Sequence, residues 1–431
     1  MKVGIVGAGA TGLTAAYRLA QKGCQVVVFE LEAEYGGLAR TLKIGPQQLE
    51  CFYHHIFTSD SDLVELIAEL GLANDLLWLT PKNGIYSNHK LYPFTSPIDL
   101  LLFKELKPWE RVALGLLVFK ARSVRDWRQL ETVTAKEWIL RNAGPNVYQK
   151  IWGPMLSSKF DFDAEKVSAA WLWNKFKLRG STRGKNINQE LLGYLQGSFN
   201  RIYEKLAAEV LRMGGLIKYN HPVTGIVQHR DGSLEINAGG ERESFDRVIV
   251  TTAPEILAEL YPQYAPGYIQ KLKNLKYKAN LCMILELTGS LSPYYWISIA
   301  QKEIPFVAVI EQTNLLPVSE YQSHIVYLSR YLDATDDLYS ATDEEIKKVF
   351  IKNLKLIFAD LQDSDIKAAH LSRARYTQPV VVKNYSQMVP EFRTPVSNLY
   401  LASMAQIYPE DRGQNYAVRM GEQIAKHILA E

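Results

Sequence analysis

The sequence predicts an α/β protein with a Rossmann-like, doubly wound dinucleotide-binding domain, a mixed β-sheet substrate domain and a helical insertion. Three observations carry this. The amino terminus reads strand, glycine-rich turn, helix, strand. A second apolar run, Asp246 to Pro254, has the composition of a fully buried parallel strand. Between them, from about Pro97 to Asn200, the pattern is mainly helical. At 431 residues the chain is long for one core, so interwoven domains are expected.

Lys2 to Val6 is a short apolar strand that runs into Gly7-Ala-Gly9-Ala10-Thr11-Gly12. Gly7 permits the tight turn, Gly9 lets the backbone approach a pyrophosphate, and Gly12 lets the following helix pack on the sheet. That helix is expected from about Thr11 to Lys22, and its free N–H groups and dipole favour an anion at its start. Gly23 closes it, Gln25 to Phe29 is the second strand, and Glu30 stands where a carboxylate accepts hydrogen bonds from ribose hydroxyls. Further on come Gly36-Gly37 and Thr41.

The run Gly7, Leu13, Ala16, Leu19, Gly23, Val26, Val28, Glu30, Gly36-Gly37, Thr41 resembles the amino-terminal fingerprint of the FAD-dependent amine oxidase superfamily, the flavin-containing amine oxidoreductases, which includes protoporphyrinogen oxidase, phytoene desaturase and monoamine oxidase. The resemblance implies FAD as cofactor, with Gly36, Gly37, Leu38, Ala39 and Arg40 against its pyrophosphate or flavin. A plain surface charge is the other reading of Arg40. It implies an FAD domain from 1–75, 198–258 and 394–431, a substrate domain from 76–96 and 259–393, and a helical insertion at 97–197. It also makes the main chain of Val223 an adenine contact, brings the strand ending near Thr252 back to the FAD domain, and makes His54 or His55 a wall of the flavin site, packing being the alternative.

At the carboxyl end, Asn398 to Ala402 reads as a strand and Gly413 to Leu429 as an amphipathic helix. By resemblance these close the flavin site, with Gly413, Tyr416 and Ala417 in the turn. This chain has Ser403-Met404 where the family has Gly followed by an acid, and Tyr416 where a small residue is usual. Ser403 is expected to replace the acid, or Asp411-Arg412 to supply the polar contacts, with Arg412 facing the flavin or an anionic substrate. An ion pair on a surface loop is the competing reading, and Lys159 is expected to be an exposed lysine, an acid or base partner near the substrate being the alternative.

Residues 84–94 alternate and turn like a hairpin, and 276–287 and 304–331 are strand-rich. The aromatics Tyr294, Tyr295, Trp296, Tyr327 and Tyr331 on or beside these strands are expected to divide between sheet core and cavity wall. In the insertion, Thr134 and Glu137 form a capping box. Trp109, Val112, Ala113, Leu116 and Leu117 share a helical face, and residues 104–128 carry a net positive charge. That is a core-facing helix with a solvated basic face, or a membrane-surface helix of the kind protoporphyrinogen oxidases use.

The net charge of +3 gives no argument for a nucleic-acid partner. The scattered Cys24, Cys51 and Cys282 suit a reducing compartment and indicate neither a metal site nor covalent flavin attachment. No leader is expected before the first strand, so the expected location is cytoplasmic, with peripheral contact to the inner face of a membrane as the variant. The resulting expectation is hydride transfer to non-covalent FAD from a C–N or C–C bond of a small hydrophobic substrate. The alternatives are a non-redox flavoenzyme resembling UDP-galactopyranose mutase, acting on a sugar nucleotide, and a flavin-binding attachment protein without turnover.

Overall fold

The computed structural model describes residues 1–181 and 190–431, so residues 182–189 of the expected insertion lie outside the described residues. Its first layer is a five-stranded sheet in the order Leu216–Lys218, Gln25–Phe29, Lys2–Val6, Arg247–Val250 and Leu399–Leu401, every pair parallel. These short Val- and Ile-rich runs are buried on both faces. Val3, Ile5, Val26 and Val28 pack with Leu13, Leu19, Ile202, Leu206 and Ile424 of three helices: Ala10–Ala20, Asn200–Arg212 and Gln414–Leu429. Val6, Val27, Phe29, Val248 and Val250 pack the other way, against Ile226, Leu234, Ile236 and Phe245. Those last four come from an antiparallel sheet, Val223–Gln228, Leu234–Ala238 and Glu241–Phe245.

The strand order reverses beside Lys2–Val6, with earlier strands on one side and later ones on the other. A crevice outside the carboxyl ends of the strands opens at such a point. Gly7, Thr251-Thr252 and Ser403 all stand there.

The second layer is a seven-stranded mixed sheet, in the order Ile366–Pro379, Tyr277–Leu287, His324–Leu332, Ala308–Glu311, Trp296–Ile299, Asn83–Ser87 and Lys90–Pro93. The predicted hairpin is its edge. One face buries Leu281, Met283, Leu285 and Val326 under Ile346, Phe350 and Leu354 of the helix Asp343–Ile357. Cys282, Ile284 and Tyr327 point the other way and join the core of the first layer.

The insertion is helical, with its own core of Leu114, Leu117, Trp138, Ile139, Leu156, Trp173 and Phe176. The Thr134 capping box forms as expected: Thr134 N donates to Glu137 at 2.7 Å and Glu137 N to the Thr134 hydroxyl at 3.1 Å. Of the two readings of the basic helix, the core-facing one does not hold for its whole apolar face. The helix Pro108–Ser123 buries Leu114, Leu117 and Ala121, whereas Trp109, Val112, Leu116 and Phe119 are 55–72% exposed. The apolar stripe is wider than one face, and its outer half meets solvent.

Candidate active site

A cavity of about 1450 Å³ runs along the crevice between the two layers and on into the insertion. Every residue singled out from the sequence as cofactor-binding lines it except Gly12, which acts one step removed. A Cβ at Gly12 would lie 1.9 Å from the Gly7 carbonyl oxygen, so the helix can start this close to the strand only without a side chain. Gly7 takes φ +103°, and the Thr251 hydroxyl anchors the strand end by donating to the Val6 carbonyl at 2.8 Å.

The helix beginning at Ala10 has Gly9 as N-cap and no side-chain cap, so its N-terminus presents main-chain donors to the cavity. Gly36 N donates to the Ala8 carbonyl at 3.0 Å, which sets the second glycine pair back to back with the first. A Cβ on Gly37 would lie 3.3 Å from the Gly9 Cα. Leu38 and Ala39 continue along the same wall. Arg40 also lines the cavity, and it donates to the Gly37 and Arg373 carbonyls at 3.3 and 3.0 Å. Glu30 is buried, its carboxylate accepting from Ala8 N at 2.7 Å and Glu32 N at 3.0 Å. Those bonds fix its orientation and leave further lone pairs toward the cavity.

A second uncapped N-terminus, that of Gln414–Leu429 behind Gly413, opens on the same space. The Thr11 hydroxyl donates to the Ala417 carbonyl at 3.1 Å, tying the two helix starts together. Around them are polar atoms that the protein itself does not satisfy: among the described residues Thr252 Oγ1, Gln414 Nε2 and Asn415 Nδ2 are buried without a hydrogen-bond partner. Glycine-bared backbone, two helix N-termini and orphaned donors are what a large, phosphate-bearing, heteroatom-rich group requires, and FAD fits them. Val223 lines the adjoining stretch.

Ser403 lines the cavity but caps a short turn. Its N–H donates to Gln406 Oε1 at 2.6 Å and its hydroxyl lies 3.4 Å from the Tyr277 hydroxyl. Tyr416 faces the cavity with Arg419 stacked on its ring at 5.1 Å.

Aromatic side chains form the middle wall. Of the aromatics named from sequence, Tyr295, Trp296 and Tyr331 line the cavity and Tyr294 and Tyr327 do not. Both paired histidines line it. His55 Nδ1 is 3.0 Å from the Tyr295 hydroxyl, while His54 Nδ1 is 2.6 Å from the Phe52 carbonyl oxygen. Burial, with Arg412 nearby, pulls His54 down to about 4 and keeps it neutral.

Two expectations fail at the insertion end. Lys159 is not an exposed lysine: its side chain is 16% exposed and reaches Asp411 Oδ2 at 3.1 Å. Asp411-Arg412 is not a surface ion pair either. Asp411 is buried and takes Lys159 and Lys175 on one oxygen, and Trp171 Nε1 and Gln378 Nε2 at 2.9 and 3.2 Å on the other. Although burial alone would raise it, the surrounding cations hold its carboxyl well below the usual range. Arg412 donates to Gln378 Oε1 at 3.1 Å and to the Tyr331 hydroxyl. Sequence reading names neither Asp411's partners Lys175 and Gln378 nor the strand that carries Gln378, because their meeting depends on folding of distant segments.

Beyond the cluster the lining is apolar, with Leu114, Val118, Trp152, Met155, Leu172 and Phe176. Phe119 lines the cavity and is 72% exposed, so the cavity reaches the surface there. On the same helix and on the preceding one, Pro97–Leu102, the side chains of Trp109, Val112, Leu116, Ile98, Leu101 and Leu102 are also exposed. Among the described residues no helix is long and apolar enough to cross a membrane.

Comparison with known proteins bears on this cavity. The family model described as "Flavin containing amine oxidoreductase" matches residues 10–429. Coproporphyrinogen III oxidase of Staphylococcus aureus is 23% identical over 61% of the chain, and the match spans 62% of that enzyme's length. The 15-cis-phytoene desaturase of Synechococcus elongatus is 21% identical across 100% of the chain and 96% of its own. Among solved structures, reduced UDP-galactopyranose mutase has a TM-score of 0.78 at 13% identity, covering 100% of this chain and 95% of its own, a likeness of fold.

Proposed function

Because the chain belongs to the flavin containing amine oxidoreductase family and is an FAD-dependent oxidoreductase, we propose that it oxidises a C–N or C–C bond in a hydrophobic substrate that enters past Phe119. The observation that carries this is the continuity of one cavity from the glycine loops to the apolar insertion. Bound FAD would supply the hydride acceptor.

The chain's own residues divide the remaining work. Gly7, Gly9, Ala10, Thr11, Gly36 and Gly37 receive the pyrophosphate at backbone level, Glu30 the ribose, and the Val223 main chain the adenine. Thr252, Gln414 and Asn415 offer their orphaned donors to the cofactor. The aromatic wall of Tyr53, His55, Tyr295, Trp296 and Tyr331 excludes water from the reacting bond.

The same reading places the mouth at a membrane surface. Seven exposed apolar side chains on two consecutive helices, Ile98, Leu101, Leu102, Trp109, Val112, Leu116 and Phe119, are more than singly scattered exposure accounts for, which supports this placement. Flanked by Lys104, Lys107, Lys120 and Arg122, they suit an anionic leaflet. Substrate would then pass from lipid to cavity without crossing water.

Oxidation is favoured over mutase chemistry because the sequence relatives above are an oxidase and a desaturase, whereas the mutase shares the fold alone. An anaerobic titration of the FAD-loaded protein decides it. Bleaching of the flavin bands by polyenes, porphyrinogens or hydrophobic amines is expected. Bands that persist until dithionite is added, followed by isomerisation of a sugar nucleotide, would refute the oxidase reading.

A further inference from the structure

The cluster around Asp411 holds more positive charge than its own chain neutralises. Among the described residues, Asp411 is the carboxylate within ion-pair distance of Lys159 and Lys175, and Arg412 has no such partner. With Lys159 protonated, three cations therefore face the cavity against one carboxylate, leaving two positive charges uncompensated. Of the other acids of the lining, Asp60 accepts from Phe57 N, Glu190 from Asn83 and Glu30 from its own loop, and Glu32, Glu34 and Glu259 are in no ion pair with the cluster among the described residues. Lys159 is 16% exposed and Arg412 half-buried, whereas Lys175 keeps 35% of its side chain exposed; withdrawing unpaired charge from water is costly, and sites that keep it use it.

The cations are held in position without being neutralised. Lys159 lies over the rings of Trp171 and Tyr331 at 5.0 and 5.8 Å, Lys175 over Trp171 at 5.4 Å, and Arg412 over Tyr331 at 5.7 Å. The Gln378 and Tyr331 bonds fix the plane of the guanidinium. With both oxygens occupied, Asp411 positions these groups and has little capacity left as a base.

We infer that this cluster receives an oxyanion on the substrate, which is therefore an amphiphile with a carboxylate- or phosphate-type group attached to an apolar body. The inference rests on the flavin-dependent reading above and narrows its substrate class. The cofactor's own diphosphate does not need the cluster, because the glycine loops and the uncapped helix starting at Ala10 already serve it. The apolar lining from Leu172 to Phe119 takes the body of the molecule, and the cations take its charged group.

The test is equilibrium binding to the FAD-loaded protein of dodecanoate, dodecyl phosphate, 1-dodecanol and dodecylamine, at a pH below the Lys159 value of about 7. Perturbation of the flavin spectrum and quenching of tryptophan emission report on it, since Trp152, Trp171 and Trp296 line the cavity. At least one anionic probe is expected to bind about tenfold or more tightly than the alcohol, as charge-assisted hydrogen bonds require. Whether the carboxylate or the phosphate leads identifies the oxyanion. In Lys159→Gln/Lys175→Gln that advantage should vanish while the alcohol binds as before, and Lys159→Gln alone should give part of the loss should the double variant not fold. Alcohol or amine binding as tightly as both anions would overturn the inference. A protein without flavin absorbance would instead overturn the flavin reading, and the tryptophan titration would still compare the charged groups.

Discussion

Beside Gly7 the cavity offers a ligand main-chain N–H groups and the N-terminus of a helix; beside Asp411 it offers three cationic side chains drawn from two insertion helices and a loop near the carboxyl end. The first end depends on the absence of side chains, and the second on their exact company. A backbone-built site should therefore tolerate loss of any one polar group but not the gain of a methyl. A side-chain-built site should show the reverse.

The largest effect is expected from Gly12→Val. Its Cβ would fall 1.9 Å from the Gly7 carbonyl oxygen, so the helix must retreat and FAD binding should be lost, read as a colourless protein after reconstitution. Gly9→Ala sharpens the point. A Cβ there meets protein only at 3.9 Å, so the melting temperature should stay near that of the parent while FAD affinity falls about tenfold or more, since the methyl takes space the pyrophosphate needs. Unchanged affinity in Gly9→Ala would break the assignment of this end.

At the other end, Asp411→Asn removes the carboxylate that pairs with Lys159 and Lys175 and should cost about 3 kcal/mol of stability at neutral pH. The sign with pH follows from a carboxyl held well below its usual range. The contribution is present above an unfolded value of about 4 and is lost as pH falls through the lower folded value. The gap between parent and variant in chemical denaturation should thus be full at neutral pH and narrow only in acid. A gap that is absent at pH 7 would contradict the cluster.

Surface substitution separates the mouth from both ends. Trp109→Ser/Phe119→Ser should leave thermal stability nearly unchanged, because both side chains are exposed. Sedimentation with anionic vesicles should fall about tenfold or more, given roughly 2 kcal/mol for each large apolar side chain withdrawn from lipid. Equal vesicle binding would remove the membrane from the account.

The smallest effect is a pH dependence. Burial lowers Lys159 to about 7, so its ammonium is present below that pH and is lost above it. Affinity for an anionic probe should decline severalfold as pH rises through this value, and Lys159→Gln should show a flat profile. A parallel decline in the variant would assign the titration to another group.

The same contrast explains what the sequence made legible. Gly7, Gly9, Gly12, Glu30 and Gly36-Gly37 are readable because strand, turn, helix and acid lie within one continuous segment whose spacing is set by backbone geometry. Gln378 could not be placed, since the strand Ile366–Pro379 has weak alternation and its partner Tyr277–Leu287 lies about ninety residues earlier. The burial of Lys159 is illegible in the sequence for a related reason. An isolated lysine on a helix is ordinarily solvated, and only the return of Asp411 from the far end of the chain makes its burial tolerable. The outward half of Pro108–Ser123 stays ambiguous in the sequence because a wide apolar stripe looks the same whether its outer edge meets protein, solvent or lipid.

The most direct test of the central claim, that the glycine end of this cavity holds FAD, is the visible absorption spectrum of the purified protein after reconstitution with FAD and removal of the excess. One FAD per chain, with flavin bands shifted from those of the free cofactor, is the predicted result. A protein that leaves the desalting column colourless, while folded by circular dichroism, would contradict it.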